Sequence, residues 1–350
     1  MNRKRPDKSF YKIPFNIETY NGMPYRRLGN SGLRVSNIGL GTWKMGYPET
    51  GDESRINEST AFALLEKAID LGVTFWDTAN RYNNASGNSE RIIGAWLKKN
   101  PRQRRNVVVA TKMGGAMDGI TPNHNGLSRI NILESVYASL ERLQSDHIDL
   151  LYFHAFDQAT PIEESLAAIE DLVRQDVVRY FGVSNFSVEQ LHGYRKVEDA
   201  MGVRCRIVAV QNQFDILQGE YGIYRGVLDH AAKNGIAFIG WSPMARGLLT
   251  RKYLDPSKAI PGDRLLDEGI LEKATSPEVM KKLHQLAALA EKWNMELNQL
   301  AIAYMLTLTG MGPIIAASSN VEQLVSNAAA GVIVLSDEQK EKIQEILLLA

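Results

Sequence analysis

Short apolar runs alternate with longer stretches of helical period along most of this chain. The runs "NIGLGT" (37 to 42), "VTFWD" (73 to 77), "VVVATK" (107 to 112) and "IDLLYFH" (148 to 154) have the length and β-branched or aromatic content of strands. So do "VVRYFGVS" (177 to 184), "IVAVQN" (207 to 212), "IAFIGWS" (236 to 242) and "PIIAAS" (313 to 318). Between them, "STAFALLEKAIDLG" sets Ala61, Leu64, Leu65, Ala68 and Ile69 on one stripe and stops at Gly72. "NILESVYASLERL" repeats the pattern with Ile132, Ser135, Val136, Ser139, Leu140 and Leu143, and Ser187 with Gln190 is spaced as a capping box. Eight strands each followed by helical sequence predict an α/β fold, a closed (β/α)8 TIM barrel. No G-x-G-x-x-G follows a strand to favour an open doubly wound sheet.

The alternation is broken in three places. Before the first strand, "YRRLGNSGLRVS" predicts an N-terminal β-hairpin around Gly29, Asn30 and Gly32. After the seventh, residues 243 to 275 hold Pro243, Gly247, Pro256, Pro261, Gly262 and Gly269 with little period, a long loop of the kind that tends to be functional. Then "SPEVMKKLHQLAALAEKWN" (276 to 294) and "ELNQLAIAYMLTL" (296 to 308) predict two helices where the repeat needs one, and "SDEQKEKIQEILLL" (336 to 349) adds an amphipathic C-terminal helix. The domain reading is an extension over residues 1–22 and one barrel domain over 23–350.

Composition narrows the function. Lys plus Arg and Asp plus Glu both count 40, so no basic surplus exists for a nucleic-acid backbone. One cysteine, Cys205, excludes an internal disulfide or a thiolate metal cluster and favours a reducing, cytoplasmic setting. No apolar run reaches the ~20 residues of a membrane span, and the basic N-terminus lacks the apolar core of a signal peptide.

In a parallel barrel, chemistry sits where strands end. Those ends carry Asp77, Lys112, His154, Ser184, Asn185, Gln211, Trp241 and Ser242, and Tyr82 lies in the loop after Asp77. Singly, each has an ordinary explanation: a turn cap, a packed phenol, a solvated ammonium, a hydrogen-bonded imidazole. Together they place four acid-base groups at the mouth ends of three adjacent strands. An ammonium at Lys112 is expected to lower the phenol pKa of Tyr82, Asp77 to hold that ammonium, and His154 to orient a substrate oxygen or share the proton load. That set suits proton donation to a carbonyl oxygen while a cofactor delivers a hydride. No H-x-x-x-H or H-E-x-x-H spacing supports a metal.

The motifs "RRLGNSGLRVSNIGLGTW", "FWDTANRY", "NSERIIGAWLK", "VVVATK", "IDLLYFH", "YFGVSNF", "VQNQFDIL", "WSPMARGLLTRKY" and "ASSNVEQLVSN" stand in order from about Tyr25 to the C-terminal helix. In these the chain resembles the aldo-keto reductase superfamily, most closely its bacterial members related to the β-subunits of voltage-gated potassium channels. The resemblance implies an NAD(P)H-dependent oxidoreductase acting on CH–OH donors and, in reverse, reducing aldehydes or ketones. By it, Tyr82 is the general acid and Asp77, Lys112 and His154 complete a catalytic tetrad. Ser184, Asn185 and Gln211 hold the nicotinamide carboxamide, Trp241 stacks on the ring, and Thr42 and Trp43 match first-strand positions of the cofactor site. Ser242, Pro243, Met244, Ala245, Arg246 and Gly247 match the loop over the pyrophosphate. Lys252 and Arg264 match cations for the 2′-phosphate of NADP, and Ser319, Gln323 and Asn327 match positions near adenosine. Asn83 departs from a usual glycine, Ala317 and Ser319 from a glycine and a basic residue, and Ser326 from an acid, which leaves NADH compatible, although NADPH is the expected cofactor.

Two other readings stay open. One is a redox-sensing, cofactor-binding subunit of a larger assembly with slow catalysis; the branch commonly assembles, so a homo-oligomer is compatible. The other is a cofactor-free isomerase or lyase, which leaves "VSN", "VQN" and "WSP" without a shared purpose. The expected partner is a small carbonyl compound, in a pocket walled by Trp43, residues 114 to 128 and residues 243 to 275. Asn123, His124 and Asn125 read as a solvated turn, with contact to a polar or sugar-like substrate as the alternative.

Overall fold

The protein, seen in a computed structural model, is described over residues 18–117 and 119–349. Most of the segment read as an extension, residues 1–17, lies outside the described residues. Among the described residues eight parallel strands close into a barrel: Ile38–Gly41, Phe75–Asp77, Val108–Met113, Ile148–Phe153, Val178–Ser184, Ile207–Gln213, Ala237–Trp241 and Met311–Ala317. Each pairs with its sequence neighbours, and the eighth returns to the first through Ile315 opposite Gly39. The (β/α)8 expectation is correct.

Strand alternation explains the two packing layers. Phe75, Leu150, Tyr152 and Ile239 fill the barrel interior. Trp76 and Phe153 face outward to the helices, with Trp76 edge-on to Trp96 at 5.1 Å between centroids. The same alternation returns Asp77 inward, at the open end. The helix Glu58–Asp70 buries Ala61, Leu64, Leu65, Ala68 and Ile69, the stripe read from its period. Val188–Met201 opens on the Ser187–Gln190 capping box.

The hairpin pairs Met23–Arg27 with Arg34–Ser36, and Thr19–Tyr20 adds a third strand to it. It closes the barrel floor: Leu28 and Val35 are fully buried against the interior cluster. Its turn touches the seventh βα unit through the Asn30 amide, 2.8 Å from the Gly235 carbonyl. Gly29, at φ +57, lies so close that a Cβ would stand 2.3 Å from that oxygen, so only glycine fits.

The long loop forms short turns, Ala245–Gly247, Arg251–Tyr253 and Pro256–Lys258, then Arg264–Asp267 and Leu271–Ala274. Pro277–Lys292 is the added helix, Leu297–Met305 the one belonging to the repeat, and Asp337–Leu348 closes the chain. No helix among the described residues is long and apolar enough to cross a membrane.

Below the mouth, helix Asn88–Lys99 packs on Arg129–Leu143 so closely that a Cβ on Gly94 would lie 2.1 Å from the Arg142 carbonyl. Between these helices and the third strand, Glu90 accepts from Arg142 Nε at 2.7 Å and from Thr111 Oγ1 at 2.5 Å. Its carboxylate is wholly buried and the guanidinium 8% exposed.

Candidate functional site

Asp77, at the end of the second strand, is the centre of the open mouth. Lys112 Nζ, reaching from the third strand, lies 2.6 Å from Asp77 Oδ1, 2.9 Å from the Thr78 carbonyl and 2.8 Å from Tyr82 Oη. The lysine is 1% exposed, and three oxygen partners offset the cost of burying its charge. Tyr82 Oη in turn lies 3.4 Å from Asp77 Oδ1, and its ring stands edge-on to His154, 6.0 Å between centroids. The four residues read from the strand ends therefore meet.

Their proton affinities do not all follow the sequence expectation. Burial and the neighbouring Asp77 carboxylate raise the Tyr82 phenol well above its usual 10, outweighing the ammonium that was expected to lower it. The phenol thus keeps its proton at neutral pH. Burial lowers Lys112, opposed by Asp77 and by Glu90 beneath it. Burial first, then the charges of Lys112 and Arg81, push His154 from 6.5 to about 3. Its imidazole is neutral, which leaves it the orienting role and removes the proton-sharing one.

This gives a stability prediction. Between about pH 6.5 and 3 the unfolded chain protonates this imidazole and the folded chain does not, so its contribution is full above about pH 6.5 and falls as acid is added. Urea unfolding at about pH 7.5 and 5.5 is expected to cost the native sequence about 1 kcal/mol more than His154→Gln. Equal losses overturn the assignment.

A second group lies beside the tetrad. Gln211 Nε2 donates to Asp77 Oδ2 at 2.7 Å, Ser184 Oγ donates to the Gln211 carbonyl at 2.8 Å, and Asn185 Nδ2 donates to the His154 carbonyl at 2.8 Å. Both amide nitrogens are fixed by acceptors, which turns the amide oxygens toward other donors. Asn185 holds φ +58 to reach this position, a left-handed geometry that asparagine tolerates. Trp241 ends the seventh strand opposite Ile315 and Gln213. After it, Ser242, Ala245, Arg246 and Gly247 all take positive φ around Pro243 and Met244, curling the backbone back on itself. Thr42 is structural in its contacts: Oγ1 lies 3.0 Å from the Asp77 carbonyl and 2.7 Å from Ser89 Oγ.

The loop cations are engaged with acids. Lys252 is ion-paired with Asp263, Arg264 Nε lies 2.7 Å from Glu268, and Arg246 Nη1 lies 3.0 Å from the same carboxylate. Arg264 also covers the Trp43 ring at 4.7 Å, and Arg55 reaches Asp267 at 3.4 Å. These contacts tie the first βα loop to the long loop. At the last strand, the Ser319 amide donates to Gln323 at 2.8 Å, and Asn327 joins Ser318 and Asn298. Ser326, standing where an acid was expected, hydrogen-bonds Asn298.

Where a glycine was expected after Tyr82, Asn83 supplies the left-handed turn itself at φ +55 and anchors it by donating from Nδ2 to the Met45 carbonyl at 2.8 Å. Asn125 lines the cavity beside Tyr82, whereas His124 turns to Glu134 and Thr121. Sequence reading missed Tyr152, fully buried under Lys112 with the ammonium 5.9 Å from its ring centre, and Arg81 on the cavity wall. Among the described residues no group of three or more His, Cys, Asp or Glu is placed to hold a metal ion.

The aldo/keto reductase family model matches residues 37–348. An aldo-keto reductase of Alternaria alternata, AMT2, is 33% identical over 92% of this chain and 90% of its own length. A second from that fungus, AFTS1, is 33% identical over 91% and 90%. A probable voltage-gated potassium channel subunit beta of Oryza sativa subsp. japonica is 30% identical over 93% and 97%. These relatives are fungal and plant proteins and do not bear on the bacterial affiliation expected from the motifs. On a match of this extent, the chain belongs to the aldo/keto reductase family.

Proposed function

We propose that the protein is an NADP-dependent reductase of aldehyde or ketone carbonyls, with Tyr82 as general acid. The observation that carries this is the Asp77–Lys112–Tyr82 chain of contacts, 2.6 and 2.8 Å long, ending on a protonated phenol at the cavity. A nicotinamide dinucleotide supplies the hydride when bound. The chain has groups that fit it: the oxygens of Asn185 and Gln211 for the carboxamide, Trp241 for the ring, the curled backbone of residues 242 to 247 for the pyrophosphate, and Lys252 and Arg264, on exchanging Asp263 and Glu268 for a new anion, for the 2′-phosphate.

The remaining work belongs to side chains. Neutral His154 holds the carbonyl oxygen in place. Tyr82 passes its proton to that oxygen as negative charge develops there, and the Lys112 ammonium, 2.8 Å away, stabilises the phenolate left behind. Asp77 keeps Lys112 charged and aimed, and the reverse reaction on a CH–OH group uses the same phenolate as base. The names of the fungal relatives support this reading. The likeness to the rice protein favours a second one, a redox-sensing subunit with slow turnover. Steady-state turnover on small aldehydes, with a pull-down for a partner, separates them.

Tryptophan fluorescence titrated with NADPH and NADH tests the cofactor. NADPH is expected to quench strongly and NADH weakly, with the signal lost in Trp241→Phe. Equal quenching makes the selectivity dual; silence from both, confirmed by calorimetry, removes the nicotinamide reading.

A further inference from the structure

The cavity in front of Tyr82 and His154 has a volume of about 640 Å³, and a second of about 460 Å³ shares Trp43 as a wall. Arg81 lines both. It directly precedes Tyr82, and its side chain lies flat across Gly115, where a Cβ would stand 2.3 Å from Nη1 and 2.4 Å from Cδ. A side chain at residue 115 would displace the guanidinium, so the glycine gives it its place.

Arg81 differs in its pairing from the arginines around the long loop. Between the first βα loop and the long loop, Arg55, Arg246 and Arg264 are ion-paired with Asp267 and Glu268. Among the described residues no carboxylate comes within ion-pair distance of Arg81. The one acid on the wall of the larger cavity, Asp157, is already committed: it accepts from the Leu127 amide at 2.7 Å, the Ala159 amide at 2.8 Å and Thr160 Oγ1 at 2.7 Å. These donors keep it ionised and turned to its own loop. Beside the reacting groups, the described wall of the larger cavity therefore offers one guanidinium fork, exposed and with no carboxylate within ion-pair distance, while Lys44 and Glu53 stand on the wall of the smaller one.

Resting on the reductase reading above, we infer that the substrate is an aldehyde or ketone bearing a carboxylate, which Arg81 holds while its carbonyl faces Tyr82 and His154. A guanidinium recognises a carboxylate through two parallel N–H donors, which orients as well as attracts it. At the carbonyl end the Lys112 ammonium is buried and already paired with Asp77 at 2.6 Å, so the carboxylate is drawn to Arg81 and the carbonyl is left for the phenol.

The experiment compares 4-carboxybenzaldehyde with its methyl ester, which differ in charge at the same carbonyl. With NADPH the native sequence is expected to favour the acid in kcat/KM by about 10- to 100-fold, the range of a charge-assisted hydrogen bond. Arg81→Gln is expected to bring that ratio to near one, and Arg81→Lys to retain part of it, whatever either does to overall rate. A ratio near one in the native sequence, or one surviving in Arg81→Gln, overturns the inference. A second arm needs no turnover: calorimetry should show benzoate binding more tightly than benzamide to the native sequence and equally to Arg81→Gln. Failure to reduce either aldehyde, with the benzoate preference intact, strikes the reductase reading and not the anion site; reduction of both without preference does the reverse.

Discussion

Tyr82→Phe is expected to lower kcat for carbonyl reduction by about 10²- to 10⁴-fold while leaving NADPH affinity nearly unchanged. The substitution removes one oxygen and keeps the ring that stands against His154. Lys112 loses its 2.8 Å contact with Oη but retains Asp77 and the Thr78 carbonyl, so its charge stays compensated. Rate and affinity thus separate: the lost group donates a proton in the transition state and contributes nothing to the groups assigned to the nicotinamide. Single-turnover kinetics beside a binding titration make the measurement. An unchanged kcat removes Tyr82 from the chemistry, and a parallel fall in affinity means that the pocket, not the proton, was lost.

The second large effect is on stability and comes from a residue outside the cavity. Glu90→Ala is expected to destabilise the fold by about 3–5 kcal/mol. For a chain of this length that lowers the melting temperature by about 4–7 °C. The cause is what stays behind: Arg142, 8% exposed, loses its only close carboxylate among the described residues, and Thr111 Oγ1 loses its acceptor. Replacing both partners with apolar residues, Glu90→Leu with Arg142→Met, is expected to restore most of the loss, because no buried charge is then stranded. Thermal melts of the single and double variants decide it; equal destabilisation in both would mean that packing, not charge, is at stake. Thr111 directly precedes Lys112 and Glu90 favours the lysine's charged form, so the single variant also bears on the site.

The barrel was legible because its strands are buried on both faces and read as continuous apolar runs. The helix Glu58–Asp70 was legible down to its five buried residues because its stripe is apolar throughout. Arg142 and Glu90 were not: charged residues on an inward face look like surface positions until their partner from another helix is seen. The long loop resisted for a different reason, since turns of three or four residues held by positive φ carry no period to detect. Thr19–Tyr20 is too short a strand to register. In the site, Asp77, Lys112 and His154 announced themselves by ending apolar runs. The direction of the Tyr82 shift did not, because it depends on how completely water is excluded around the phenol. Arg81 carries no sequence signal of its own, and its meaning lies in the carboxylates that are paired elsewhere.

The hairpin that seats Leu28 and Val35 in the barrel floor has a kinetic consequence. With that end closed, the described residues leave the reacting groups open at the opposite end. Under the proposed reading Gln211 and Asn185, beside the tetrad, would hold the nicotinamide, and the carbonyl compound would reach Tyr82 through the same opening. Binding would then be ordered, with the dinucleotide held first by Gln211 and Asn185 and an excess of alcohol slowing its release.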